Sequence, residues 1–117
     1  MTKKRASEVY RFLSVASMKK MNDDERIALI RLLRTMKPLY KEMRDAVDDA
    51  LEKAKAEMED ESHIVDFVNR AVEDLSNEDA NVNTNILASD TFDRLCNSND
   101  WNFAQIDELE EVLLKKD

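Results

Sequence analysis

Not one of the 117 residues is glycine. Average usage would supply about eight. Glycine lets a chain take positive φ in a tight hairpin turn and lets backbone close on a phosphate. A chain without it is poorly suited to β-hairpins, P-loops and dinucleotide-binding turns alike. Pro38 is the one proline. Helix asks for neither residue, so an all-α fold is expected: a helical bundle within one domain spanning residues 1–117. Punctuation falls to the asparagines at 22, 77, 81, 83, 85, 97, 99 and 102. Asn caps helix N-termini and tolerates the left-handed region.

Apolar spacing places the elements. Val9, Phe12, Leu13 and Ala16 share one helical face, which predicts a first helix from about Ser7 to Lys19. Asn22 and Glu25 have capping-box spacing, and Asp23 and Asp24 put negative charge where a helix N-terminus favours it. The seam that follows is the main feature. Leu29, Leu33, Met36, Tyr40, Met43, Val47, Leu51, Ala54 and Met58 succeed one another at steps of three or four. The phase continues through Pro38, so one long, Pro-kinked helix over about 23–59 is predicted. The rival is a break with Thr35 as a fresh N-cap, which would put Pro38 harmlessly in a first turn. An unbroken helix of this length would measure roughly 55 Å. A compact domain of this size has a radius of gyration of only about 13 Å. Segment 45–60 is therefore expected to project. Its stripe is narrow and alanine-rich, the kind that suits one partner helix. A third helix is predicted over Ser62–Leu75, then an extended connector over 79–87. A short helix capped by Ser89 runs through Cys96. A last helix is opened by Asn102 and Gln105, again at capping-box spacing. Trp101 and Phe103 read as a staple packing on that last helix.

Charge is unevenly laid along the chain. Residues 1–44 hold 12 Lys/Arg and 5 Asp/Glu, whereas residues 45–117 hold 6 and 21. The first reading is that the two kinds of segment pair within one molecule; the sharper one is that basic and acidic ends meet between copies, or meet an anionic partner. The lone cysteine, Cys96, has no internal disulfide partner, which fits a reducing compartment. No stretch approaches the ~20 apolar residues of a membrane span. The first residues carry Lys3, Lys4 and Arg5 without an apolar run after them, so no signal peptide is read there.

Three constellations bear on chemistry. His63 is the sole histidine, so a two-histidine metal motif cannot be built within one chain, and any His-dependent triad would have to use it. No acid–base pair stands in an apolar setting, so no catalytic residue, no cofactor and no enzyme activity are expected. Asp79, Asn81, Asn83, Asn85 and Asp90 occupy positions 1, 3, 5, 7 and 12 of a calcium-loop pattern. The pattern departs where the geometry is strict: Thr84 stands at the turn position that glycine normally fills, and Asp90 is shorter than the usual bidentate Glu. Any affinity there would be weak. Arg34, Lys37, Lys41 and Arg44 share a basic helix face that could track phosphates. No aromatic platform is interleaved with them and the sequence pI is about 4.7, so nucleic acid is the disfavoured partner.

The runs Val9-Tyr10-Arg11-Phe12-Leu13, Met18-Lys19-Lys20-Met21 and Leu33-Arg34-Thr35-Met36-Lys37-Pro38 carry a resemblance. So do Ile86-Leu87, Phe92-Asp93-Arg94-Leu95 and Asn99-Asp100-Trp101 nearer the end. Together they resemble small helical proteins of unknown function encoded in tailed-phage and prophage genomes. The motifs are helix signals without an active-site signature. The resemblance implies a role in virion assembly, in the cytoplasm of a bacterial host or on the virion, and brings over no catalytic or binding residue.

The functional expectation is a non-enzymatic protein–protein interaction module that meets itself or another protein. Its expected surface is the seam residues Val47, Leu51, Ala54 and Met58. The alternative is a small regulator that binds calcium at 79–90 or nucleic acid along Arg34–Arg44.

Overall fold

The structure is a computed structural model that describes residues 1–57 and 61–116. It is all-α. Among the described residues six α-helices follow in order: α1 Lys3–Leu13, α2 Asp23–Glu57, α3 Ile64–Ala71, α4 Glu73–Asn77, α5 Ser89–Asn97 and α6 Phe103–Leu113. A 3-10 turn, Glu61–His63, precedes α3. Among the described residues there is no strand, only two isolated bridges, Thr2 with Asp79 and Leu87 with Leu114. No described helix is long and apolar enough to cross a membrane.

The contacts fall into two compact units. One comprises Met1–Tyr10 and Met36–Asn81, the other Arg11–Thr35 and Val82–Asp117. Both α1 and α2 contribute residues to each.

Helix α2 is unbroken for 35 residues with Pro38 inside it. The rival N-cap at Thr35 does not form. Instead the Thr35 hydroxyl donates back to the Arg31 carbonyl at 3.1 Å, as a threonine inside a helix does. Asn22 opens the helix as expected, its side chain accepting from the Glu25 amide at 2.9 Å. Only half of that capping box is made, because a Glu25 carboxylate oxygen is buried without a hydrogen-bond partner among the described residues. The predicted end at residue 59 lies outside the described residues.

In the first unit, Met36, Met43, Ala50 and Ala54 are the buried positions of α2, with Ala6, Val72 and Ala80 also buried. Segment 45–57 is thus packed in its own unit along its alanine stripe. The α1 helix begins earlier than the predicted Ser7, because the Thr2 hydroxyl accepts from the Arg5 amide at 3.1 Å and supplies the cap. Tyr10 meets Tyr40 with ring centroids 5.1 Å apart. Lys3 bridges Glu78 at 2.7 Å and Glu42 at 3.1 Å. The third predicted helix is divided at Val72, whose φ of −104° and ψ of 3° leave the helical region. The Val72 carbonyl there takes both the amide and the hydroxyl of Ser76, each at 2.8 Å.

In the second unit, Leu13, Leu29, Leu87, Leu95 and Leu113 are fully buried. Each such side chain contributes about 1.5–3 kcal/mol relative to exposure. Helix α1 stops at Leu13 rather than near Lys19, and the Ser14 hydroxyl turns back to the Arg11 carbonyl at 3.0 Å. Ser89 falls inside the first turn of α5, and the N-cap position is Ala88, with no side-chain cap. Helix α5 packs against α6. The Asn102–Gln105 box at the start of α6 is complete, with both reciprocal bonds formed at 2.9 and 3.0 Å.

The connector over 79–87 is extended, as expected. Its start pairs with the first residues, Ala80 donating to Met1 and Lys3 to Glu78, both at 2.8 Å. Its end pairs with the last residue of α6 and the chain just after it: Leu87 donates to Leu113, and Lys115 to Leu87, both at 2.8 Å.

Candidate interaction surface

The seam expected to meet a partner is covered to different degrees along its length. Ala54 is fully buried, while Val47 and Leu51 are half-buried. Met58 lies outside the described residues. A stripe whose deepest member is already covered by its own unit leaves little apolar surface for a second protein.

The basic face is exposed along its length at Arg34, Lys37, Lys41 and Arg44. Arg44 is engaged: its guanidinium lies 5.8 Å from the Tyr40 ring centroid and 3.7 Å from the Asp45 carboxylate. Tyr40 is half-buried against Tyr10, so that ring does not offer a free stacking platform for a base.

The residues of the calcium pattern are mostly committed elsewhere. Asp79 sits 3.5 Å from the N-terminal ammonium, and Asp90 sits 3.5 Å from Arg94 one turn along α5. Asn85 adopts the left-handed conformation, φ 59°. Its side-chain amide donates to the carbonyls of Glu111 and Leu114 at 2.9 and 2.8 Å, and its oxygen accepts from Thr84 at 2.9 Å. Asn85 is therefore a backbone clamp for the end of α6. Asn81 and Asn83 are exposed. Among the described residues, no group of three or more His, Cys, Asp or Glu is placed to hold a metal ion.

Asn83 also lines a shallow cleft of about 250 Å³ with Ala28, Arg31, Leu32, Thr35 and Ile86. Ligand pockets commonly run from roughly 300 to 1,000 Å³ and enclose most of their ligand, so this one is small for that role. His63 is exposed in its 3-10 turn. Cys96 is half-buried, and burial first, with Asp93 and Glu110 after it, pushes its thiol pKa up. A thiol held in its neutral form is a poor nucleophile.

The second unit carries a different feature, centred on Trp101. Its ring meets Phe12, at the end of α1, with centroids 5.2 Å apart and planes tilted by 40°. Phe103, read as the other half of the staple, is 80% exposed at the first position of α6. Val15, three residues after Phe12, is 85% exposed. The two loops that carry these residues are tied by a reciprocal pair. The Ser17 amide donates to the Asn99 side chain at 2.8 Å, and the Asn99 side chain donates to the Ser17 carbonyl at 2.9 Å. Asn99 also holds the Leu95 carbonyl at 2.9 Å, so one residue closes α5 and locks the loops. The signal in the sequence was the aromatic pair itself. What it lacked was the distant partner, Phe12.

The result is an aromatic edge: a tilted Phe12–Trp101 pair on a pinned loop junction, flanked in the chain by exposed Val15 and Phe103. Comparison with protein-family models, with curated proteins and with solved structures finds no match to this chain.

Proposed function

We propose that the chain is a non-enzymatic helical interaction module that docks a protein partner through this aromatic edge. The carrying observation is Phe103, a large aromatic side chain 80% exposed on the first turn of a well-capped helix. Exposing such a ring to water forfeits about 1.5–3 kcal/mol that burial would return. Rigid aromatics are the side chains that most often dominate binding energy at interfaces. Here the rigidity has a visible source in the Asn102–Gln105 box beneath Phe103 and in the Ser17–Asn99 pair beside Trp101. The seam of α2 serves the chain's own packing, so the docking surface proposed here replaces it. The resemblance to phage-encoded helical proteins would make such a module an assembly component.

A photo-crosslinking phenylalanine analogue at position 103, introduced in the producing cell, tests the reading. Discrete adducts are expected there and not with the same probe at Asn69, an exposed polar position of α3. Equal, diffuse labelling at both positions would sink it. An adduct to a virion protein would mark the assembly role.

A further inference from the structure

We infer that the occupant of the aromatic edge is a second copy of this chain, joined across a two-fold axis. The inference rests on the reading of that edge as a docking surface. Its basis is the charge of the two segments that the edge brings together. Residues 11–20, which supply Phe12 and Val15, carry Arg11, Lys19 and Lys20 and no Asp or Glu. Residues 97–111, which supply Trp101 and Phe103, carry five Asp/Glu and no Lys or Arg.

The structure ties these segments side by side through Phe12–Trp101 and Ser17–Asn99. The aromatic edge therefore has a basic lip and an acidic lip. Arg11, Lys19 and Lys20 on one lip, and Asp100 and Asp107 on the other, are all exposed. None of the five takes part in an ion pair among the described residues, although Arg26, Arg44 and Arg94 of the same chain each find a carboxylate. A surface that is apolar in the middle and oppositely charged on its two sides is complementary to itself after a rotation of 180°. That is the requirement for an isologous dimer contact. The rotation sets each basic lip against the other copy's acidic lip and brings the exposed Phe103 and Val15 side chains of both copies under cover. Charged rims of this kind act mainly on orientation and encounter, so the contact should be salt-sensitive.

Light scattering behind size exclusion tests this directly on the full chain. At low salt a mass of twice 13.6 kDa is expected, shifting toward monomer as salt rises. Phe103→Ser should weaken the dimer at least about tenfold while circular dichroism stays unchanged, because the side chain supports no core. Two lip variants make the test specific. Lys19→Glu with Lys20→Glu sets Glu against the other copy's Asp100 and Asp107, and Asp100→Lys with Asp107→Lys sets Lys against its Lys19 and Lys20. Each should be monomeric alone, and an equimolar mixture should recover the dimer mass. A wild-type monomer up to about 1 mM overturns the proposal. So does a dimer indifferent to Phe103→Ser, a mixture that fails to pair, or a mass that grows without limit, which would indicate head-to-tail contact instead. Foreign adducts at position 103 together with a monomeric chain would leave the docking reading standing and remove only the second copy.

Discussion

Asparagine does at single positions what glycine does in most proteins. Asn85 takes the left-handed conformation and clamps two carbonyls at the end of α6; Asn99 closes α5 and joins two loops; Asn22 and Asn102 open helices. Their punctuating role was legible from composition and spacing. Their tertiary partners were not, because a side-chain amide advertises nothing about which distant carbonyl it will meet. Thr91 is the opposite case. It is fully buried and its hydroxyl has no partner among the described residues. The carbonyl four residues back, on Leu87, already accepts from Lys115. An unsatisfied buried hydroxyl costs about 1–3 kcal/mol. Thr91→Val keeps the shape and removes that cost, so it should raise the urea midpoint by the equivalent of about 1 kcal/mol. A loss of stability would show that the hydroxyl has an interaction of its own.

Lys3 gives a pH signature at the same scale. Hydrogen bonds that its ammonium donates to Glu78 first, then to Glu42, raise its pKa above the ordinary lysine value. A folded value above the unfolded one means that the pairing stabilises fully below the ordinary lysine pKa of about 10.4. That stability is lost as the pH rises through the folded value. Lys3→Met should therefore melt below the wild type at neutral pH, with the gap closing as the pH passes beyond about 10.4. A gap that is constant across that range would mean that the lysine acts by packing alone.

At the scale of elements, α2 shows how a periodic seam overrides a local breaker. Pro38 offers no amide to the Arg34 carbonyl and costs about 3 kcal/mol in a helix interior. The helix nevertheless continues, because Met36 and Met43 bury on either side of the proline in the same phase. Pro38 itself is exposed, so an alanine there disturbs no core. Pro38→Ala should stabilise the protein by about 1–3 kcal/mol in chemical denaturation. No gain would imply that the surrounding turn already satisfies the free carbonyl. The ends of elements were read less well than their middles. Helix α1 was placed four residues late because Ser7 is a good cap in isolation, whereas Thr2 is the cap used. The third helix was drawn whole because its apolar positions keep phase. The division falls at Val72, whose φ and ψ leave the helical region, and the apolar spacing carries no mark of it.

At the scale of the whole molecule, the contrast lies between what a one-dimensional pattern records and what it omits. The lack of glycine, the single proline and the three-four spacing of apolar residues were enough to determine an all-α chain, its long unbroken helix and its extended connector. Each of these depends on backbone propensity and on side chains a few residues apart. Tertiary structure alone decided that the contacts fall into two units, that Ala50 and Ala54 are buried, and that Trp101 meets Phe12 while Phe103 is exposed. Burial is a property of what lies across the chain, and a stripe at helical spacing looks the same in sequence whether its own fold or another molecule covers it.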